Sequence, residues 1–163
     1  SLAGELEAKV GAVNGKFAEY DWTPVRYINQ AFSRLVLAGF YRLARIGLVT
    51  PVRDGMNLVA KEFVAAQDPD DPGVLILSRF AGAAQELKAA IQVNPYDADD
   101  IAQAIHRSLG MGLDERQMRW SHMMEAIEQN PVTDWHEDFL KALGETEVAA
   151  PVRPRITMPV AAA

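Results

Sequence analysis

The chain has 163 residues, 49% of them hydrophobic, which is enough for one domain with a buried core. Its formal net charge of −6 argues against a nucleic-acid partner, because proteins that bind phosphate backbones present a basic surface. The absence of cysteine excludes disulfides and thiol chemistry, and no apolar run approaches the ~18 residues of a membrane span, so we expect a cytoplasmic protein with no membrane partner.

The hydrophobic pattern predicts helices that alternate with short strands. The predicted helices span Leu2–Val13, Arg34–Ala44, Leu58–Ala66, Ala83–Leu87, Asp99–Leu109, Leu113–Gln129 and Thr133–Leu143. The predicted strands span Pro24–Ile28, Ile46–Val49, Val74–Leu77 and Ile91–Val93. Short, nearly all-apolar strands between helices indicate a parallel sheet with helices on both faces, which is a doubly wound, Rossmann-like α/β fold.

The predicted sheet is incomplete, because doubly wound nucleotide-binding domains commonly have about six strands. We therefore expect a partial domain over residues 1–143. From Gly144 the chain is rich in Ala, Pro and Val without periodicity, which predicts a disordered tail over residues 144–163. Because an incomplete sheet exposes an apolar edge, we also expect self-association, or pairing with a missing part of the protein.

A junction of strand, loop and helix is the most informative stretch of the chain. The apolar run Ile46–Val49 ends before Pro51, a polar loop follows from Arg53 to Asn57, and a helix is predicted to begin at Leu58. In a doubly wound sheet such a loop lies beyond the carboxyl end of its strand, where ligands bind. Its N–H groups and the helix dipole together favour an anion at this position.

The loop residues add hydrogen-bonding capacity beside that anion. Gly55 lets the backbone approach a ligand closely, and Asp54 and Asn57 offer acceptors and donors to hydroxyl groups. The pattern therefore predicts a site for a phosphorylated, hydroxyl-rich ligand. A turn that merely caps the helix is the alternative, because Asp, Gly and Asn favour that structure too.

Seven short blocks resemble, in family order, the trehalose-6-phosphate synthases, which are retaining glycosyltransferases of family 20. The blocks are Gly15-Lys16-Phe17, Asp21-Trp22-Thr23-Pro24, Gly47-Leu48-Val49-Thr50-Pro51, Arg53-Asp54-Gly55-Met56-Asn57-Leu58-Val59-Ala60-Lys61-Glu62, Pro72-Gly73-Val74, Phe80-Ala81-Gly82-Ala83-Ala84 and Val93-Asn94-Pro95-Tyr96-Asp97. The resemblance implies the later part of the C-terminal, donor-binding domain of a GT-B fold. It also implies transfer of glucose from UDP-glucose to glucose 6-phosphate, without a metal or another cofactor.

The resemblance implies roles for the loop. The Asp54 side chain and the backbone of Gly55, Met56 and Asn57 would hold the glucose hydroxyls. Of these residues, Asp54 is the one that we expect to take part in catalysis. The Phe80–Ala84 block is expected to let a helix pack closely on the sheet rather than to contact the ligand.

The resemblance also implies contacts with the nucleotide. The N–H groups of Leu58 and Val59 would bind the diphosphate, and Glu62 would accept hydrogen bonds from the ribose hydroxyls. Phe32, through its backbone, and Leu37 would frame the uracil. Read without the resemblance, Glu62 would be an ordinary solvated carboxylate on a helix.

Other sequence features limit the functions that we expect of this chain. The family's acceptor site, its glycine-rich loop, and an Arg and a Lys that bind the donor phosphates fall outside these blocks, so we expect the chain alone to be inactive. A non-catalytic homologue that acts as a nucleotide-binding or interaction module is the alternative. A Rossmann dehydrogenase is disfavoured because no G-x-G-x-x-G follows a strand. The three histidines lie on separate predicted helices, which argues against a metal site.

Overall fold

The computed structural model of the chain describes residues 2–130 and 139–144, in two compact units divided after Phe40. The first unit contains α1 (Leu2–Phe17), and α2 (Arg34–Leu43) crosses the division. The second contains, in chain order, β1 (Ile46–Val49), α3 (Leu58–Ala66), β2 (Val74–Ser78), a 3-10 turn (Gly82–Gln85), β3 (Ile91–Val93), α4 (Ala98–Leu109) and α5 (Leu113–Gln129). Residues 139–144 are also helical.

The second unit is built on a parallel sheet with the order β1-β2-β3. All five residues of β2 are buried, because this strand has a neighbour on each side and helices on each face. Leu75 and Leu77 pack on one face with residues of α3 and α5, including Phe63 and Met123. Ile76 points to the other face, where its cluster includes side chains of β3 and α4. The prediction of an incomplete doubly wound α/β fold is confirmed.

The predicted strand Pro24–Ile28 is wrong. Proline lacks an N–H group, and the polar backbone groups of Val25 are bound by a side chain rather than by a neighbouring strand. The Asn14 amide donates from Nδ2 to the Val25 carbonyl (2.8 Å) and accepts at Oδ1 from the Val25 N–H (3.0 Å). Asn14 can do this because α1 continues through it to Phe17 instead of ending at Val13.

Two other predicted helices and the predicted tail are only partly matched by the described residues. The helix expected at Ala83–Leu87 is the short 3-10 turn Gly82–Gln85. Residues 133–138 of the last predicted helix lie outside the described residues. So do residues 145–163 of the predicted tail, whereas Gly144, the first residue of that tail, is helical. The predicted extent of the partial domain stays a prediction.

Ion pairs fix the ends of several elements. In the acidic loop Asp68–Asp71, Asp68 pairs with Arg42 (2.6 Å) and Asp71 pairs with Arg116 (2.6 Å). On α5, hydrogen bonds from Arg119 hold the pKa of the half-buried Glu115 carboxyl below its ordinary value. None of the described helices is long and apolar enough to cross a membrane.

Candidate functional site

The loop after β1 lies at the carboxyl end of the sheet, as predicted. Parallel pairing of β1 with β2 stops at Val49 and Leu77 and resumes at an isolated bridge between Asp54 and Ala81. Four residues lie between the paired positions on the β1 side and three on the β2 side. The longer side must therefore bulge, and the bulge leads directly into the loop that begins at Asp54.

The Asp54 carboxylate holds the loop in a tight turn. Its Oδ1 accepts from the Met56 N–H (3.1 Å), and its Oδ2 accepts from the Asn57 Nδ2 (2.9 Å). A carboxylate has about four acceptor positions, so these bonds leave Asp54 able to accept from a ligand hydroxyl as well. The side chain is half-buried, which fixes its direction without removing it from solvent.

Asn57 caps α3 in a left-handed backbone conformation, with φ 73°. Asparagine tolerates this region better than most non-glycine residues, because its short polar side chain can bond locally. Here Asn57 Oδ1 accepts from the Ala60 N–H (2.9 Å). The first N–H groups of a helix have no acceptor inside it. The cap provides an acceptor for the Ala60 N–H group and leaves the N–H groups of Leu58 and Val59 without one in the described part of the chain.

The start of α3 is open to solvent, since Leu58 is 59% exposed and Val59 is 46% exposed. Glu62 is exposed as well, and residues three or four apart share a helix face, so its carboxylate lies on the same side as these first residues. The neighbouring Lys61 is engaged elsewhere, by an ion pair with Glu86 (2.6 Å). Two unbonded N–H groups and a carboxylate one turn later suit a diphosphate followed by a diol.

The segment that follows β2 supports the loop, a role that the sequence analysis missed. The Gly82 N–H donates to the Asp54 carbonyl (2.9 Å), and the Ala83 N–H donates to the Met56 carbonyl (2.7 Å). The close packing expected of the Phe80–Ala84 block is thus made against the loop as well as the core. The signal was the glycine: a Cβ on Gly82 would collide with the Gly55 carbonyl oxygen.

The backbone groups of the loop that were predicted to contact the ligand are not all free to do so. Both polar backbone groups of Met56 are engaged, so a ligand must compete with Asp54 for the Met56 N–H. Gly55 does not have a positive φ, and a Cβ there would meet nothing within 4 Å. No protein atom therefore requires glycine at position 55, and any need for it must come from the ligand.

Phe32 and Leu37 belong to the first unit, and their predicted place beside the uracil stays a prediction. The Phe32 ring packs edge-on against Phe40, with 5.3 Å between ring centroids. The Leu37 N–H donates to the Ser33 carbonyl (3.0 Å) in the first turn of α2. Both predicted side chains are half-buried.

A second polar depression lies beyond β2 and β3, lined by Arg79, Asn94, Asp97 and Asp100 among others. Two of its acidic groups bond within the protein: Asp97 caps α4, and Asp100 Oδ2 accepts from the Asn94 N–H (2.8 Å). Residues 2–130 and 139–144 contain no cluster of three or more side chains suited to hold a metal ion.

Comparison with known proteins identifies the family. The sequence model described as Glycosyltransferase family 20 matches residues 1–145. The trehalose-6-phosphate synthase of Sinorhizobium fredii is 60% identical over 135 residues, which are 83% of this chain and 29% of the relative. That of an Enterobacter species is 55% identical over 142 residues, which are 87% of this chain and 30% of the relative.

Solved structures agree with this match. A UDP-forming alpha,alpha-trehalose-phosphate synthase from Burkholderia xenovorans, in complex with glucose-6-phosphate, is 55% identical with a TM-score of 0.82. The match covers 86% of this chain and 31% of that one. A structure from E. coli bound with UDP-2-fluoro glucose is 50% identical with a TM-score of 0.83, and the match covers 89% and 32%.

This chain thus spans about 30% of the length of the relatives that it matches. The resemblance carried by the seven sequence blocks is confirmed by the family match and by identities of 50–60%. The chain belongs to glycosyltransferase family 20.

Proposed function

We propose that this chain is the donor-binding part of a cytoplasmic trehalose-6-phosphate synthase, a retaining enzyme that transfers glucose from UDP-glucose to glucose 6-phosphate. The observation that carries the proposal is the junction between the loop and α3. There, a family signature coincides with an exposed helix start whose first two N–H groups have no helical acceptor. The ligands named for the related structures, UDP-2-fluoro glucose and glucose-6-phosphate, support it.

The helix start stabilises the leaving group. As the bond to glucose breaks, negative charge grows on the diphosphate, and the N–H groups of Leu58 and Val59 donate to it. Together, the free N–H groups at this end of the helix dipole present roughly +0.5 charge to the diphosphate. Glu62 accepts hydrogen bonds from the ribose hydroxyls on the same face of α3. Phe32 and Leu37 frame the uracil.

The loop orients the sugar. The Asp54 carboxylate, kept in place by bonds from the Met56 N–H and the Asn57 side chain, accepts from a glucose hydroxyl. The Gly55 and Asn57 backbones supply further contacts, and that of Met56 does so in competition with Asp54. Asp54 therefore acts by fixing the glucose relative to the departing diphosphate, a contribution of proximity and orientation.

Titration of the chain with UDP-glucose is expected to shift amide NMR signals of residues 54–62. Glu62→Gln should weaken the UDP-glucose affinity by roughly 5- to 10-fold, because Gln keeps an acceptor oxygen but loses the charge assistance, a difference of about 1–1.5 kcal/mol. Glu128→Gln is the matched control, since Glu128 is also an exposed helical carboxylate but lies on α5. Saturable shifts confined to other surfaces would reject the site.

We also propose that the isolated chain self-associates through β1. In the described part of the sheet β1 pairs only with β2, so its other edge is unpaired, and Leu48 is 47% exposed. Light scattering after size exclusion should give a mass above the monomer at tens of micromolar protein. Leu48→Lys should shift the population towards monomer, because charge on an edge strand opposes pairing. Val52→Lys, outside the strand and 56% exposed, is the control, and a monomeric wild type would contradict the proposal.

A further inference from the structure

We infer that Gly82 is a positioning residue for the donor site: it aims the N–H groups of the loop at the ligand without touching the ligand. The inference rests on the proposed function and names a residue outside the predicted site. Gly82 lies in the segment Ala81–Ala83, which joins the loop through two backbone hydrogen bonds and the bridge at Asp54.

The two hydrogen bonds fix the directions of two peptide planes. In a trans peptide the C=O group and the following N–H group point in opposite directions, and the described residues contain no cis peptide. The Asp54 carbonyl points at Gly82, so the Gly55 N–H points away from the segment. The Met56 carbonyl points at Ala83, so the Asn57 N–H also points away. Neither N–H has an acceptor among the residues that the structure describes.

Only glycine permits this approach. A Cβ at position 82 would collide with the Gly55 carbonyl oxygen, and it would lie 2.7 Å from the Gly55 carbonyl carbon and 3.2 Å from the Met56 nitrogen. All three are backbone atoms, so no side chain can rotate to make room. Any larger residue must push the two backbones apart and break or lengthen both hydrogen bonds.

The loop is the side that would yield. Ala81 and Ala83 are buried in the main core cluster, with 3% and 0% of their surfaces exposed, whereas Gly55 is exposed. The ion pair between Lys61 and Glu86 also ties the 3-10 turn to α3. A side chain at position 82 would therefore displace the loop and turn its N–H groups away from the ligand.

The test compares Gly82→Ala with Gly112→Ala, a control because a Cβ at position 112 meets nothing within 4 Å. Without ligand, Gly82→Ala is expected to move the amide signals of Gly55, Met56 and Asn57 and to speed hydrogen exchange at Ala83 at least 10-fold, with the Leu75 and Leu77 amides unchanged. UDP-glucose, whose sugar the loop is proposed to contact, should bind about 10-fold more weakly. The control should match wild type in each measurement.

Two outcomes would overturn the inference. One is an unmoved loop in Gly82→Ala, and the other is a lower melting temperature with unchanged UDP-glucose affinity, as a purely structural role would give. If the variant does not fold, the test uses wild type. NMR couplings should then be observed across the hydrogen bonds from Gly82 to Asp54 and from Ala83 to Met56, and their absence would reject the inference. If wild type does not bind UDP-glucose, the proposed function fails, while the ligand-free measurements still test Gly82.

Discussion

Incubated with UDP-glucose and glucose 6-phosphate, this chain is expected to release no UDP above a blank without protein. The two N–H groups and the dipole of α3 supply less than one positive charge to a leaving diphosphate. The family resemblance places the phosphate-binding Arg and Lys, and the acceptor site, outside the matched blocks. Without those groups the charge that develops in the transition state is poorly neutralised. A coupled assay for UDP measures the result.

A full-length relative, such as the Enterobacter trehalose-6-phosphate synthase, serves as the positive control in that assay. Turnover by the chain that survives repurification and disappears in Asp54→Ala would contradict the prediction. Turnover that Asp54→Ala leaves unchanged would instead indicate a contaminating enzyme. The Asp54→Ala variant therefore separates the two explanations.

Asn57→Ala is expected to lower the free energy of unfolding by about 2–3 kcal/mol. Loss of a helix cap costs about 0.5–2 kcal/mol. A left-handed backbone costs an ordinary residue about 1–2 kcal/mol more. Asn57 supplies both the cap, through Ala60, and the conformation, with φ 73°. Urea unfolding followed by circular dichroism measures the change.

Asn57→Gly separates the two contributions. Glycine adopts positive φ without strain and costs only a few tenths of a kcal/mol at a cap, so this variant is expected to lose less than about 1 kcal/mol. If the alanine and glycine variants are equally unstable, backbone conformation contributes nothing, and the assignment of strain to position 57 is wrong.

Much of the fold could be predicted because the local signals agree with one another. The strand Ile46–Val49 and the helix Leu58–Ala66 have their predicted bounds, since an apolar run stops at a proline and an Asx cap starts the helix. The two interpretations of the Arg53–Asn57 loop also proved compatible. The loop is a capped turn, and the capping leaves the first N–H groups of α3 unbonded.

The remaining features depend on residues distant in sequence. Pro24–Ile28 has the composition of a strand, but only the approach of Asn14 shows where the Val25 backbone groups are satisfied. Likewise, Gly82 is separated from Gly55 by the whole of α3 and β2. A glycine in an apolar block predicts close packing, and the partner in that packing becomes visible only when the sheet brings the two segments together.

The loop from Asp54 to Asn57 is bound internally before any ligand arrives. The Asp54 carboxylate, the Asp54 and Met56 carbonyls and the Asn57 amide all have protein partners. A preorganised loop of this kind has lost its conformational entropy during folding, so binding does not incur that cost again. We therefore expect the proposed donor to bind this loop without prior rearrangement, with an association rate set by diffusion and orientation rather than by loop closure.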